Sequence, residues 1–220
     1  MRAIQLHGDQ LRVPTARTAG VRTDTPGRRA FDVVVAVVSI ILLAPLFGLV
    51  ALVVLIDSGR PVLYRQDRIG RGGRPIRIIK FRSMVVGADR SGALVSAQSD
   101  ARVTRVGGIL RSSKLDELPQ LVNVLRGDLT LIGPRAEVAR YVTAYTDEEL
   151  STLAVRPGLT GAGALLFIRQ AAELDSATDA EARYVGTCLH DKLAADLDYL
   201  RRRSLWQDVR IITRTLAALL

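Results

Sequence analysis

Between Val33 and Ile56 the chain runs for 24 residues without one charged side chain, VVVAVVSIILLAPLFGLVALVVLI. About 20 apolar residues in a helix cross the hydrocarbon core of a bilayer. The segment therefore belongs in a membrane, and whatever else the chain folds into must be attached to one. A cleaved signal peptide fits poorly, because its apolar core is about 7 to 15 residues long and lies nearer the N-terminus.

The flanks bear on whether the segment crosses. Arg12, Arg17, Arg22, Arg28 and Arg29 precede it, and Arg60, Arg65, Arg68, Arg71, Arg74, Arg77 and Lys80 follow it. Positive flanks prefer the cytoplasm, and here both make that demand. Pro45, thirteenth of the 24 residues, removes one backbone hydrogen bond and clashes with the preceding turn. A helix, a break at Pro45 and a second helix returning to the same side satisfies both flanks. The alternative is an ordinary Pro-kinked span, which membrane helices tolerate.

The formal net charge is +9, with 31 Lys and Arg against 22 Asp and Glu. That excess suits polyanionic partners: nucleic acid, an anionic membrane surface or phosphorylated substrates. One cysteine, Cys188, excludes an internal disulfide and a cysteine metal site, and His7 and His190 are too few and too distant for zinc. Residues 1–30, rich in Arg, Thr and Gly without a period, read as a flexible basic tail.

Beyond the apolar segment the pattern changes. Val62 to Arg65 and Ile76 to Phe81 flank a basic, Gly-rich turn, Gly70 to Arg74, and predict a β-hairpin. Lys80 and Arg82 end its second strand, where they can project into a phosphate site. Residues Ser83 to Asp100 read as a short helix and loop, and a helix is expected after Thr104. Ala136 to Ala144, Asp147 to Ala154 and Ser176 to Arg203 read as helices. Arg156 to Gly161 reads as a turn-rich loop whose glycines let backbone N–H groups approach an anion. The last segment, SLWQDVRIITRTLAALL, is amphipathic; it lies along a membrane surface or packs on the domain.

The stretch Lys114 to Arg135, KLDELPQLVNVLRGDLTLIGPR, carries the chemistry. Leu118, Leu121, Val122 and Leu125 recur at helical spacing, which sets the adjacent carboxylates Asp116 and Glu117 at a helix N-terminus. The positive end of the helix there favours an ionised carboxylate and any phosphate nearby. A simple capping role for Asp116 is the plainer alternative. Gly127-Asp128 and Gly133-Pro134-Arg135 bracket Leu129 to Ile132, a buried strand or turn that returns Arg135 to the same place. Arg111, five residues before Asp116, is within reach through a short turn.

Phe31-Asp32, Lys80-Phe81-Arg82-Ser83-Met84, Leu115-Asp116-Glu117-Leu118-Pro119-Gln120-Leu121, Asn123-Val124-Leu125, Gly127-Asp128, Gly133-Pro134-Arg135 and Arg156-Pro157-Gly158-Leu159-Thr160-Gly161 occur here in the order seen in one family. Over about residues 28–220 the chain resembles the bacterial sugar transferases, monotopic polyprenyl-phosphate phosphoglycosyl transferases that start membrane-linked glycan assembly. The resemblance implies that a nucleoside-diphosphate sugar, usually UDP-linked, gives its sugar-1-phosphate to polyprenyl phosphate, such as undecaprenyl phosphate, and releases UMP. It implies Asp116 as the nucleophile of a covalent phosphosugar intermediate, with Glu117 assisting. It implies magnesium, which Asp116 and Glu117 would hold together with substrate phosphates. Lys80, Arg111 and Arg135 match basic positions of the motifs and are the candidates for binding phosphate.

The expected fold is α+β and mostly helical, with a re-entrant membrane helix broken at Pro45, a small β-hairpin and amphipathic interfacial helices. The expected organisation is a flexible basic tail (1–30), the membrane helix (31–57) and a cytoplasmic catalytic domain (58–220). The expected site of action is the cytoplasmic face of a bacterial plasma membrane, without nucleic acid as partner. The long helix and the terminal helix each offer a face for a homodimer contact. A competing class is a basic, membrane-anchored protein that binds nucleic acid or lipid without catalysis; it explains the charge but not Asp116-Glu117 among cations, and few aromatics are present to stack on bases. Three positions depart from the family pattern: Ala44 before Pro45 where Ser is common, Ala136 after Arg135 where Pro is common, and Ala162 to Arg169 in place of a Gln-Val-x-Gly-Arg continuation.

Overall fold

A computed structural model of the chain describes residues 6–7, 10–11, 20–88, 100–175 and 180–219. It is a mostly helical α+β fold. In chain order it has strands β1 (Leu6–His7) and β2 (Gln10–Leu11), helix α1 (Pro26–Ser58), strands β3 (Leu63–Ile69) and β4 (Pro75–Phe81), helices α2 (Arg105–Ser112) and α3 (Gln120–Arg126), strand β5 (Thr130–Ile132), helix α4 (Ala139–Val142), strand β6 (Gly158–Thr160) and helices α5 (Ala162–Asp175), α6 (Ala180–Arg183), α7 (Leu189–Arg202) and α8 (Leu205–Leu219). Parts of two expected elements, 89–99 within Ser83 to Asp100 and 176–179 within the long helix, lie outside the described residues.

Helix α1 is one uninterrupted element of 33 residues, which corrects the expected division at Pro45. The proline ring deletes only its own bond to the preceding turn, and the flanking bonds carry the helix through. The helix starts early because Thr25 caps it, accepting from Arg28 N at 3.4 Å, with Pro26 in the first turn. Most of the expected tail lies outside the described residues. Its last part is no tail: Asp24 pairs with Arg203 at 2.9 Å, and Arg22 N donates to the Leu200 carbonyl at 3.1 Å. On its outer face α1 exposes Val34, Ile41, Leu42, Leu49, Leu52 and Ile56, among others.

Both ends of α1 are fastened to the rest of the fold. At its start Asp32, buried, accepts from Thr130 Oγ1 at 2.7 Å and Leu131 N at 3.1 Å, while Arg29 donates to the carbonyls of Val124 and Leu125. Near its end Val50 and Val54 pack with Phe81 and Leu110, and Arg82 donates to the carbonyls of Ser58 and Gly59. Phe47 lies between, tilted against Phe81 with ring centroids 5.9 Å apart.

The hairpin forms where expected, with Leu63 opposite Phe81 and Ile69 opposite Pro75. Among the described residues no third strand lies beside β4, so its outer backbone groups need another partner. Asn123, wholly buried, supplies it: its Oδ1 accepts from Ile79 N at 3.0 Å, and its amide donates to Arg77 O at 2.8 Å and Asp128 Oδ2 at 3.1 Å. That side chain clamps α3 onto β4 and sets Glu117 against Lys80.

Strands β5 and β6 pair in parallel, with a bridge from Arg135 to Gly158 extending the contact. The anion-approach role expected of the glycines in Arg156 to Gly161 is closed at Gly158. Gly158 N donates to the Pro134 carbonyl at 2.8 Å, and a Cβ on Gly158 would meet Gly133 N at 2.2 Å. Glycine stands there because two backbones touch. The C-terminal helices pack around this unit. Lys192 on α7 is buried, donates to Glu137 and Tyr184, and lies over the rings of Phe167 and Tyr184. On α8, Asp208 and Ile211 are buried, with Asp208 bound by Arg28 and Tyr199, whereas Leu205, Trp206, Val209 and Leu216 are exposed.

Candidate active site

The turn that carries the two carboxylates is built by an unusual backbone. Lys114 takes the left-handed conformation (φ 58°, ψ 14°), sparsely populated by residues with a Cβ. It reverses the chain after α2 so that Leu115–Glu117 forms a 3₁₀ turn under β4. Helix α3 starts only at Gln120, and its N-cap, Pro119, has no capping side chain. Asp116 therefore neither caps nor opens the helix, and the helix terminus is not what governs its charge.

Burial governs it instead. Asp116 is 6% exposed, and its Oδ1 is buried without a hydrogen-bond partner. Desolvation pushes its pKa up; Lys80 opposes this most, Glu117 adds to it, and Lys114 and Arg135 oppose it. A carboxylate kept dry and unbonded beside three cations is costly to the fold unless a ligand uses it.

Glu117 is its opposite. Lys80 Nζ reaches Glu117 Oε1 at 2.9 Å, and Arg135 grips the same carboxylate with Nη2 to Oε1 at 2.5 Å and Nη1 to Oε2 at 3.3 Å. Burial works against its charge, but Arg135 and then Lys80 outweigh it and hold its pKa well below the usual carboxylate range. Lys80 is pulled below its ordinary value by burial, against the attraction of Glu117, and Arg135 is pushed up by Glu117. Glu117 is thus a fixed anion whose two oxygens hold two cations in place beside Asp116.

Of the residues singled out from sequence, the structure brings together Asp116, Glu117, Lys80 and Arg135. Arg111 stands on the last turn of α2, where its charge helps to lower the pKa of Asp100. Three residues near the carboxylates were not singled out as site residues from sequence. Lys114 was one more cation in a basic stretch, Arg68 one more flanking arginine, and Gln120 a member of the motif with no role assigned to it. Arg68 and Gln120 line a narrow cleft together with Arg135. Among the described residues no group of three or more His, Cys, Asp or Glu side chains gathers to cage a metal ion. The one carboxylate oxygen of the pair left unengaged and buried is Asp116 Oδ1.

Residues 23–220 match the profile of a family described as bacterial sugar transferase. A UDP-glucose:undecaprenyl-phosphate glucose-1-phosphate transferase of Caulobacter vibrioides is 40% identical over 196 residues, 88% of this chain and 69% of that protein. A UDP-N-acetylgalactosamine-undecaprenyl-phosphate N-acetylgalactosaminephosphotransferase of Aeromonas hydrophila is 36% identical over 197 residues, 88% of this chain but 43% of that protein. An exopolysaccharide production protein PSS of Rhizobium leguminosarum is 36% identical over 198 residues, 87% of this chain and 94% of that protein.

Proposed function

This chain belongs to the bacterial sugar transferase family, and from that membership we propose that it transfers a sugar-1-phosphate from a UDP-sugar to a polyprenyl phosphate such as undecaprenyl phosphate. The observation that carries this reading is the asymmetry of the two carboxylates. Glu117 has both oxygens engaged by cations, and Asp116 next to it has a buried oxygen with none. Asp116 is the group left available to react.

In the proposed reaction an oxygen of ionised Asp116 attacks the sugar-bearing phosphorus of the donor. The bond from that phosphorus to the bridging oxygen breaks, UMP leaves with the electron pair, and an acyl phosphosugar remains on Asp116. An oxygen of the polyprenyl phosphate then attacks the same phosphorus and returns the carboxylate. Desolvation raises the nucleophilicity of Asp116 but also its repulsion from a diphosphate. Lys80 and Arg135, held in position by Glu117, offset that repulsion and meet the charge that develops on the leaving phosphate. Magnesium suits Asp116, whose Oδ1 is free, better than Glu117, whose oxygens are taken; the ion would be shared with substrate phosphates. When bound it would supply further neutralisation of phosphate charge.

The membrane arrangement supports a lipid acceptor. A helix of 33 residues is about 50 Å long if straight, and one that crossed a bilayer would separate its ends by the roughly 30 Å hydrocarbon core. Here Arg29 and Asp32 at one end and Val54 and Ser58 at the other are all held by the α3–β4–β5 unit. Both ends on one side is what a re-entrant helix requires; in this proposal α1 bends at Pro45 without breaking, with the exposed residues of α1 and of α8 in the lipid. The proposed location is the cytoplasmic face of a bacterial plasma membrane, where a soluble nucleotide sugar and a lipid phosphate meet.

Two outcomes test this. Cysteines at the exposed positions Thr23 and Arg74 are expected to react with an impermeant maleimide only from the cytoplasmic side of sealed vesicles; Cys188 is buried and stays silent. Labelling of the two from opposite sides would make α1 a span. The purified chain in nanodiscs with magnesium is expected to release UMP from at least one UDP-sugar when undecaprenyl phosphate is supplied. Silence across UDP-sugars from folded, membrane-embedded protein would defeat the proposal.

A further inference from the structure

Beside Arg135 is the narrow cleft lined by Arg68, Gln120 and Arg135 together with Ile78 and Leu129. Its polar side chains all bring N–H groups, and no carboxylate lines it. Gln120 is 4% exposed, yet its Nε2 is fully buried with no hydrogen-bond partner. Arg68 is anchored from behind, with Nε and Nη2 on Gln66 Oε1 at 3.1 and 2.8 Å and Nη1 3.5 Å from Glu137 Oε2. Glu137 is itself fixed by Lys192 and Tyr184, both at 2.7 Å. Two anchored guanidinium groups and an orphaned amide donor face one space with room for about one water-sized group.

We propose that this cleft is a receptor for a single phosphoryl oxygen, with the Gln120 amide and the Arg68 and Arg135 guanidinium groups as its donors. A sugar, a base or a metal ion does not suit it: the first two are too large and the last would face two guanidinium cations. Arg135, which grips Glu117, also lines the cleft, and Gln120 follows Asp116 by four residues on the same stretch, so the oxygen seated there is assigned to a phosphate engaged in the reaction. This inference rests on the transferase reading for the identity of that phosphate. The nucleotide half of the donor and the lipid phosphate both present such an oxygen. Arg135 then has two tasks, held by Glu117 on one side and holding phosphate on the other. Gln120 is a binding residue, and Glu137 with Lys192 positions Arg68.

The test is Gln120→Leu in the full chain in nanodiscs, titrated with UMP and, separately, with farnesyl phosphate. Leucine removes the donor while keeping the site filled. An amide kept unsatisfied for a ligand costs the empty protein stability, so the unliganded variant is expected to melt no lower than wild type. Its affinity for at least one probe is expected to fall about tenfold or more, the loss of a hydrogen bond to a charged group. Loss with UMP alone places the oxygen on the nucleotide, with farnesyl phosphate alone on the lipid, and with both on a position each occupies in turn. Unchanged affinity for both probes, or a variant that melts lower and binds normally, would make Gln120 a structural residue and overturn the proposal. The two readings fail separately. Wild-type protein that binds either probe through Gln120 yet releases no UMP from UDP-sugars would sink the transferase and keep the subsite. A Gln120→Leu enzyme with unaltered KM and kcat would sink the subsite and keep the transferase.

Discussion

Asp116→Asn is expected to lower sugar-phosphate transfer by at least about 10³-fold, the scale of removing a nucleophile that acts with its neighbours as a unit, while the folded chain stays in the membrane. Asparagine keeps the shape and cannot form the acyl phosphate. Its effect on stability runs the other way. Burial raises the pKa of Asp116, so the folded state holds its proton to higher pH than the unfolded state does. Stability from this group is therefore present below the unfolded pKa, near 3.9, and is lost as pH rises through the folded value. Asparagine does not titrate, so at neutral pH the variant is expected to melt at or above the wild-type temperature. Turnover comparable to wild type would remove Asp116 from the nucleophile's role, and a large fall in melting temperature would make it a structural carboxylate.

Glu117→Gln is expected to be the most destabilising change in the site. The wild-type carboxylate neutralises Lys80 and Arg135 in a partly buried cluster whose side chains are 15%, 30% and, for Glu117, 13% exposed. Removing the central partner leaves two cations facing each other, and breaking buried ion pairs in this way costs about 3 kcal/mol. For a chain of this length that is on the order of 10 °C in melting temperature. The pH dependence fixes the cause. The folded pKa of Glu117 lies well below its ordinary value, so its stabilisation is fully present above the unfolded pKa of about 4.3 and disappears as pH falls towards the folded one. The gap between wild type and variant should therefore be full at pH 7 and shrink in acid. A second change, Lys80→Met, should restore part of the loss, because the pair is coupled. A pH-independent gap, or strict additivity of the two changes, would deny the clamp.

Much of this was legible before any fold was known. The uncharged run named α1, the glycines of Gly70 to Arg74 named the hairpin, and Thr104 marked the start of α2, where its hydroxyl accepts from Gly107 N at 2.9 Å. The convergence of Lys80, Glu117 and Arg135 followed from motif residues lying at the ends of elements that short turns fold together. What escaped depended on tertiary contacts. The three-residue strands β5 and β6 are too short for a period and pair across the intervening α4 region, so Arg156 to Gly161 looked like a loop. The helix terminus expected to favour an anionic Asp116 lies four residues further on, at Gln120, and burial instead pushes its pKa up. Glu137 and Lys192 are 55 residues apart, and a buried ion pair at that separation leaves no trace in local pattern. Pro45 has a strong local meaning as a helix breaker, yet the helix continues because losing one bond does not undo its neighbours.

The central claim is that Asp116 carries the phosphosugar. The most direct test is to give the nanodisc-embedded chain a UDP-sugar that it accepts, with magnesium and no lipid phosphate, and to record UMP and intact protein mass together. The account predicts a burst of about one UMP per active chain and a matching mass gain of one sugar phosphate on the peptide containing Asp116, discharged when undecaprenyl phosphate is added. UMP that appears only after the lipid is supplied, with no adduct at any time, would mean that the lipid phosphate attacks the donor directly and would contradict the account.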